Sequence, residues 1–108
     1  MRIAAQLLVC PVIGHFGATQ SYGEFAKGYG MDASSMRFFF RQYLGARDLD
    51  ADSGVYPSQA CDLRGLPPAI VLTAENDVLR DEGEAYAERL ASSGVMTVRR
   101  RYLGQIHG

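Results

Sequence analysis

The chain has 108 residues, a formal net charge of −1, and 47% hydrophobic and 21% charged residues. This composition fits one small globular domain and excludes disordered and collagen-like chains. The charge excludes a nucleic-acid partner, which needs a clustered basic excess. The sequence has no apolar run of about 18 residues, so no membrane span is predicted.

The two cysteines, Cys10 and Cys61, lie far apart in the sequence. They belong to no Cys-x-x-Cys or Cys/His spacing that holds zinc, and they suggest no disulfide framework. We therefore predict no metal, no cofactor and, by default, a reduced cytoplasmic setting.

The first predicted element is a strand in the apolar run from Ala4 to Val12, ended by Pro11. A nearly continuous apolar run is typical of a parallel strand that is covered on both faces. The glycine-rich segment that follows, Ile13 to Gly30, is interpreted as a loop with at most a short helical turn near residues 22–27.

The next predicted element is a helix over residues 33–44, with Asp32 as its N-cap and Gly45 as its left-handed stop. Its apolar residues recur at helical spacing, which predicts one buried face. That face carries Met36, Phe39, Phe40, Tyr43 and Leu44. Packing is the default role of these aromatic residues, and lining a substrate pocket is the alternative.

Residues 46–63 are polar and are interpreted as a solvated loop. The spacing of Asp48, Asp50 and Asp52 resembles the start of a calcium loop. The glycine and the distal glutamate that such a loop requires do not follow at the needed positions.

A strand, a helix and a second strand are predicted after the proline pair that ends at Pro68. The strand over residues 69–74 places Asp77 just past its carboxyl end, and the helix over residues 81–93 starts with a capping box of Asp81 and Glu84. Its predicted buried face carries Gly83, Tyr86, Ala87, Leu90 and Ala91. The second strand, residues 96–102, places His107 beyond its own carboxyl end.

Asp77 and His107 lie 30 residues apart (107 − 77), enough for one crossover helix between parallel strands. The right-handed crossover makes their contact reasonable, and a carboxylate beside an imidazole fixes the tautomer of a catalytic base. Spacing alone favours the interpretation of the two as unrelated loop residues. Glu75 and Asp81 are the competing acids, although the predicted capping box already occupies Asp81.

Three segments together resemble the hormone-sensitive lipase family of α/β-hydrolases, which includes bacterial esterases and lipases. They are residues 62–69 (Asp-Leu-Arg-Gly-Leu-Pro-Pro-Ala), 73–83 (Thr-Ala-Glu-x-Asp-x-Leu-Arg-Asp-Glu-Gly) and 102–108 (Tyr-x-Gly-x-Ile-His-Gly). The resemblance implies an α/β fold, the C-terminal part of an α/β-hydrolase with parallel strands, crossover helices and an incomplete sheet. It also implies that Asp77 is the triad acid and His107 the triad base.

The resemblance divides the chain into three parts: a core strand over residues 1–13, a cap-like insertion and loop over 14–61, and the βαβ unit over 62–108. In such esterases cap side chains shape the acyl pocket, which implies that Phe39, Phe40 and Tyr43, with Phe38, face a small acyl-ester substrate.

The family's nucleophile motif, Gly-x-Ser-x-Gly, and its His-Gly-Gly-Gly oxyanion motif do not occur in the sequence. We therefore interpret the chain as an esterase fragment that is inactive alone. We expect this fragment to expose an apolar sheet face. The isolated chain should then aggregate, fold incompletely or form a homo-oligomer, or bind a complementing N-terminal half.

Two other functions remain open on the sequence. One is a non-catalytic hydrolase-like fragment that acts in self-association or subunit binding. The other is a receiver-type or flavodoxin-like protein with Asp77 as a phosphoacceptor, which leaves the Gly-x-x-His-Gly segment at residues 104–108 without a role.

Overall fold

The computed structural model describes residues 2–45 and 55–108. Their strands form one three-stranded, all-parallel sheet in the order β1-β2-β3. The strands are β1 (Gln6–Val9), β2 (Ala69–Asn76) and β3 (Thr97–Ile106). The predicted α/β class with parallel strands and crossover helices is confirmed. The predictions about Asp48, Asp50 and Asp52 lie outside the described residues.

Strand β1 is shorter than the predicted run from Ala4 to Val12. Its last ladder bond runs from the Cys10 N–H to the Leu72 carbonyl at 2.9 Å. Cys10 then adopts φ 45°, the one positive φ of a non-glycine residue in the described ranges, and Pro11 has no N–H to continue the ladder. The strand therefore ends where the chain turns away from the sheet.

In the described part of the chain, three α-helices accompany the sheet: α1 (Gln20–Glu24), α2 (Ala33–Leu44) and α3 (Arg80–Ser92), with a 3₁₀ turn at Pro57–Gln59. The bounds and caps predicted for α2 are confirmed. Asp32 Oδ1 accepts a hydrogen bond from the Ser35 N–H at 2.7 Å, and Gly45 has φ 64°. No helix in residues 2–45 or 55–108 is long and apolar enough to cross a membrane.

The predicted capping box at the start of α3 is wrong. The N-cap is Leu79, which has no side-chain capping bond, and the helix begins at Arg80. Asp81 instead accepts from the Ser21 N–H at 2.8 Å, and Glu84 accepts from the Thr73 hydroxyl at 3.0 Å. Both carboxylates that the local pattern assigned to the cap thus accept hydrogen bonds from residues distant in the sequence.

Helix α3 crosses from β2 to β3 and packs closely on one face of the sheet. A Cβ at Gly83 would lie 3.1 Å from Thr73 Cγ2, so only glycine allows this approach without a shift. Below the helix a core cluster includes Tyr86 and Leu90. Ala91, predicted to be buried, is exposed because its side of the helix faces away from the sheet.

The opposite face of the sheet is apolar and exposed. Leu7, Ile70 and Val98 stand side by side across the three strands, and Val9 lies two residues beyond Leu7. Each of these four side chains is at least 45% exposed. The run that is typical of a strand covered on both faces is packed only on the α3 side among the described residues, and the exposed apolar sheet face expected for a fragment is present.

Candidate active site

Asp77 occupies a buried position directly after β2. Its side chain is 1% exposed. One carboxylate oxygen, Oδ1, accepts a hydrogen bond from the Leu79 N–H at 3.0 Å. The other, Oδ2, lies 2.9 Å from Nδ1 of His107. The first bond orients the carboxylate so that the second oxygen points at the imidazole.

His107 reaches Asp77 because β3 contains an irregularity. Ala74 pairs with Tyr102, whereas Asn76, two residues later, pairs with Ile106, four residues later on β3. The two additional residues bring His107 to the level of Asp77, where an unbroken register would have placed Gln105. Since two is the period of a strand, the shift preserves which face each side chain takes.

Gly104 lies within this irregularity. Its φ of 70° falls in the left-handed region that favours glycine. Its N–H donates to Glu75 Oε2 at 2.6 Å. The strand predicted for residues 96–102 therefore continues, through an irregular segment, to Ile106.

The competing acids do not contact the imidazole. Glu75 is engaged by the Gly104 N–H, and Asp81 by the Ser21 N–H and by Arg80 Nε at 2.9 Å. The acid that meets His107 is thus Asp77. A carboxylate can only accept, so Nδ1 of His107 carries the shared hydrogen, and Nε2 is left to accept a proton.

An apolar groove lies beside α2 and has a volume of about 310 Å³. Phe39, Phe40 and Tyr43 all line it, together with Val12, Met36, Val55, Tyr56 and Pro57. Phe39 and Tyr43 are half or more exposed, whereas Phe40 is buried in the core. Val12 follows Cys10 by two residues, a separation that the chain spans in at most about 7 Å.

Glu82 is a buried carboxyl that the sequence analysis missed. It accepts from the Ile13 N–H at 2.5 Å and from the Gly14 N–H at 2.7 Å, which ties α3 to the loop after β1. Burial raises its pKa to about 7, against the lowering effect of those two N–H groups. Glu82 lies four residues before Tyr86, on the apolar side of α3. This spacing could have indicated from the sequence that Glu82 is buried.

Cys10 also lies beside Asp77 and His107, although no sequence spacing connects it with them. One ligand atom from each of Cys10, Asp77 and His107 lies within 4.8 Å of the other two. Burial raises the pKa of the Cys10 thiol, and the negative charge of Asp77 raises it further. Cys10 stands 67 residues before Asp77, and only the parallel sheet brings its strand end to the same edge.

None of the serine hydroxyls in residues 2–45 and 55–108 is hydrogen bonded to His107. Ser21, the most buried of them, donates to the Val78 carbonyl at 2.7 Å. Within these residues, no serine hydroxyl therefore bonds to the imidazole of the Asp77–His107 pair.

Comparison with known proteins identifies the setting of this pair. A family model of the alpha/beta hydrolase fold matches residues 1–108. An arylesterase of Saccharolobus solfataricus is 38% identical over 109 residues, which cover 99% of this chain and 35% of the arylesterase. The carboxylic ester hydrolase LipN of Mycobacterium tuberculosis is 40% identical over 105 residues, 95% of this chain and 28% of LipN.

A solved esterase structure has the same fold as this chain over the matched region. The crystal structure of a thermostable esterase from Pseudomonas putida superposes with a TM-score of 0.91 at 41% identity, over 99% of this chain and 34% of that chain. The chain thus spans about a third of the length of these relatives. It belongs to the α/β-hydrolases of the hormone-sensitive lipase-like, carboxylesterase-type family.

Proposed function

We propose that this chain supplies the acid and the base of a Ser-His-Asp triad that hydrolyses carboxylic esters. Asp77 is the acid and His107 the base. The observation that carries the proposal is the 2.9 Å contact between the buried Asp77 carboxylate and His107 Nδ1, at the carboxyl ends of adjacent parallel strands. That edge of an open parallel sheet is where catalytic groups gather.

The reaction has two half-reactions, acylation and deacylation, and each moves one proton onto His107 Nε2 and off it again. This nitrogen takes the proton of a serine hydroxyl as the serine oxygen bonds to the ester carbonyl carbon. It returns the proton to the leaving alkoxide as the carbon–oxygen bond breaks and an acyl-serine forms. In the second half-reaction, Nε2 takes a proton from water as the water oxygen bonds to the acyl carbon, and it returns that proton to the serine oxygen as the carboxylic acid product leaves. Asp77 holds the imidazole in the required tautomer and stabilises its cationic form.

The groove beside α2 suggests a substrate with a small apolar acyl or alcohol group. Phe39 and Tyr43 present exposed rings to it, and Val12 connects it along the chain to the strand end that carries Cys10. Ester substrates agree with the names of the relatives, an arylesterase and a carboxylic ester hydrolase.

The nucleophile of the proposed triad comes from polypeptide other than these 108 residues, because no Gly-x-Ser-x-Gly occurs in them. The exposed apolar face of Leu7, Val9, Ile70 and Val98 supports such a partner. Parallel sheets are stable when both faces are covered. A complementing N-terminal half that packs on this face satisfies both requirements.

A chimera provides the test. Residues 1–108 replace the matching region of the Saccharolobus solfataricus arylesterase, and hydrolysis of p-nitrophenyl acetate is measured. We expect the chimera to be active and its His107→Ala variant to be inactive, while the 108-residue chain alone shows no turnover above its own His107→Ala control. An active chimera that tolerates His107→Ala would refute the proposed role of the base.

A further inference from the structure

We propose that Cys10, Asp77 and His107 form a binding site for one soft divalent cation, with Zn²⁺ as the best-suited ion. One thiol, one carboxylate and one imidazole converge there, and one ligand atom from each lies within 4.8 Å of the others. These three ligand types are the ones that bind zinc in proteins.

The separations suit a metal ion. Around a tetrahedral Zn²⁺ with bonds of about 2.0–2.3 Å, neighbouring ligand atoms lie roughly 3.3–3.8 Å apart. His107 Nδ1 and Asp77 Oδ2 lie 2.9 Å apart in their hydrogen bond, and every separation in the cluster is at most 4.8 Å, within about 1 Å of the upper tetrahedral value. Small side-chain rotations therefore bring the three ligands to bonding distance, and water completes the fourth position.

The backbone around the cluster holds two of the ligands in place. The Leu79 N–H fixes the Asp77 carboxylate by its bond to Oδ1, an outer contact of the type that orients ligating carboxylates. Cys10 adopts φ 45° at the end of β1, where the chain leaves the sheet beside Asp77. His107 is 25% exposed, so an ion can reach the cluster from solvent.

Binding of the metal opposes the hydrogen bond between Asp77 and His107. As the sulfur–metal bond forms, the Cys10 thiol loses its proton to solvent. His107 loses the hydrogen on Nδ1 and gains one from solvent on Nε2, so that Nδ1 and the Asp77 carboxylate donate lone pairs to the metal. The imidazole is then unable to act as a base. This inhibition rests on the proposed esterase function, whereas the binding of the metal does not.

Cobalt(II) titration of the reduced 108-residue chain tests the site without any assay of activity. Co²⁺ takes the place of Zn²⁺ and reports a bound thiolate by a charge-transfer band in the near ultraviolet. We expect one Co²⁺ per chain, displaced by Zn²⁺. Cys10→Ser should abolish the band, and Asp77→Asn and His107→Gln should each weaken Co²⁺ binding by more than the 10–100-fold that loss of an outer partner costs.

Cys61→Ser is the matched control, because Cys61 is an exposed free thiol. It should keep the band and the affinity. Absence of the band in the unsubstituted chain, its persistence in Cys10→Ser, its loss in Cys61→Ser, or an affinity unchanged by His107→Gln would each overturn the site. Circular dichroism of every variant, matched to that of the unsubstituted chain, separates loss of ligands from loss of the fold.

A second arm tests the inhibition in the chimera with the arylesterase. We expect added Zn²⁺ to lower ester hydrolysis at least tenfold, EDTA to restore it, and Cys61→Ser to leave both effects unchanged. Tight Co²⁺ binding without Zn²⁺ inhibition would keep the metal site and refute its coupling to the base. An inactive chimera that binds Co²⁺ normally would count against the proposed esterase function alone.

Discussion

Glu75 Oε2 accepts a hydrogen bond from the Gly104 N–H at 2.6 Å, across the two strands whose ends carry Asp77 and His107. This bond lies within the register shift that advances β3 by two residues relative to β2. The pairing of acid and base thus depends on an irregular backbone segment as well as on the two side chains.

Gly104→Ala should therefore disturb the pair. An alanine at φ 70° costs about 1–2 kcal/mol, although a Cβ there would meet no atom within 4 Å. We expect a lower melting temperature and loss of the downfield imidazole N–H signal of His107 in proton NMR. Gly94→Ala is the control, because Gly94 has φ 81° at the end of α3, away from the pair. It should lower the melting temperature similarly and keep the NMR signal.

Asp77→Asn should lower kcat of the chimera by about 10⁴, the effect expected when an amide favours the wrong imidazole tautomer. The substitution nearly preserves shape, so KM should change little. Asp62→Asn removes an exposed acid that pairs with Arg64 and should leave kcat unchanged. Equal rates for the Asp77 variant and the unsubstituted chimera would contradict the assigned role of the acid.

Glu82 predicts a pH dependence of stability. Its pKa is about 7 in the fold against an ordinary 4.5, so the folded state binds the proton more tightly than the unfolded state. This contribution is fully present below pH 4.5 and is lost as the pH rises through 7; the difference corresponds to on the order of 3 kcal/mol. We expect the melting temperature of the chimera to fall between pH 5 and pH 8.

Glu82→Gln should flatten that fall, because an uncharged amide oxygen still accepts from Ile13 and Gly14. Glu88→Gln, an exposed partner of Arg99, should retain it. The comparison is made by thermal denaturation at each pH. A slope that is the same in all three proteins would show that other groups determine the pH dependence.

The aromatic residues of α2 should separate into two classes. Phe40 is buried, so Phe40→Ala should destabilise the fold by about 3–5 kcal/mol. Tyr43 is 78% exposed, so Tyr43→Ala should change stability by less than about 0.5 kcal/mol. If the groove holds the substrate, Tyr43→Ala and Phe39→Ala raise KM for p-nitrophenyl esters in the chimera. Unchanged KM across acyl lengths would remove the groove from the substrate site.

The exposed sheet face predicts self-association of the isolated chain. Leu7, Ile70 and Val98 form an apolar row on this face, and such a row favours contact with another apolar surface. Sedimentation velocity should show oligomers or aggregates, and Leu7→Lys combined with Val98→Lys should shift the distribution toward monomer. A monodisperse, cooperatively melting monomer of the unsubstituted chain would contradict this expectation.

Local chemistry made some elements predictable from sequence. Asp32 caps α2 and Gly45 ends it, since both act within a few residues of their own position. The placement of Asp77 and His107 at one sheet edge followed from chain topology, because parallel strands bring their carboxyl ends to the same edge. These predictions needed only local turn chemistry and the handedness of one crossover.

Long-range contacts set the limits of sequence prediction. The carboxylates of Asp81 and Glu84 match a capping box, yet Ser21 and Thr73 bind them in the fold. Cys10 carries no motif, and its place beside Asp77 depends on how β1 pairs with β2. The two-residue register shift of β3 likewise depends on Glu75, a partner that no short pattern connects with Gly104.

Strand β3 is hydrogen bonded to a neighbouring strand on one side only within the described sheet, and His107 lies just past its end. Strands in this position exchange their amide hydrogens through local opening, at a lower free energy than global unfolding. Fraying of the end of β3 separates His107 from Asp77 while β2 and α3 remain folded. The contact of Asp77 with His107 therefore has its own, smaller stability, and heating should break it before the rest of the fold melts.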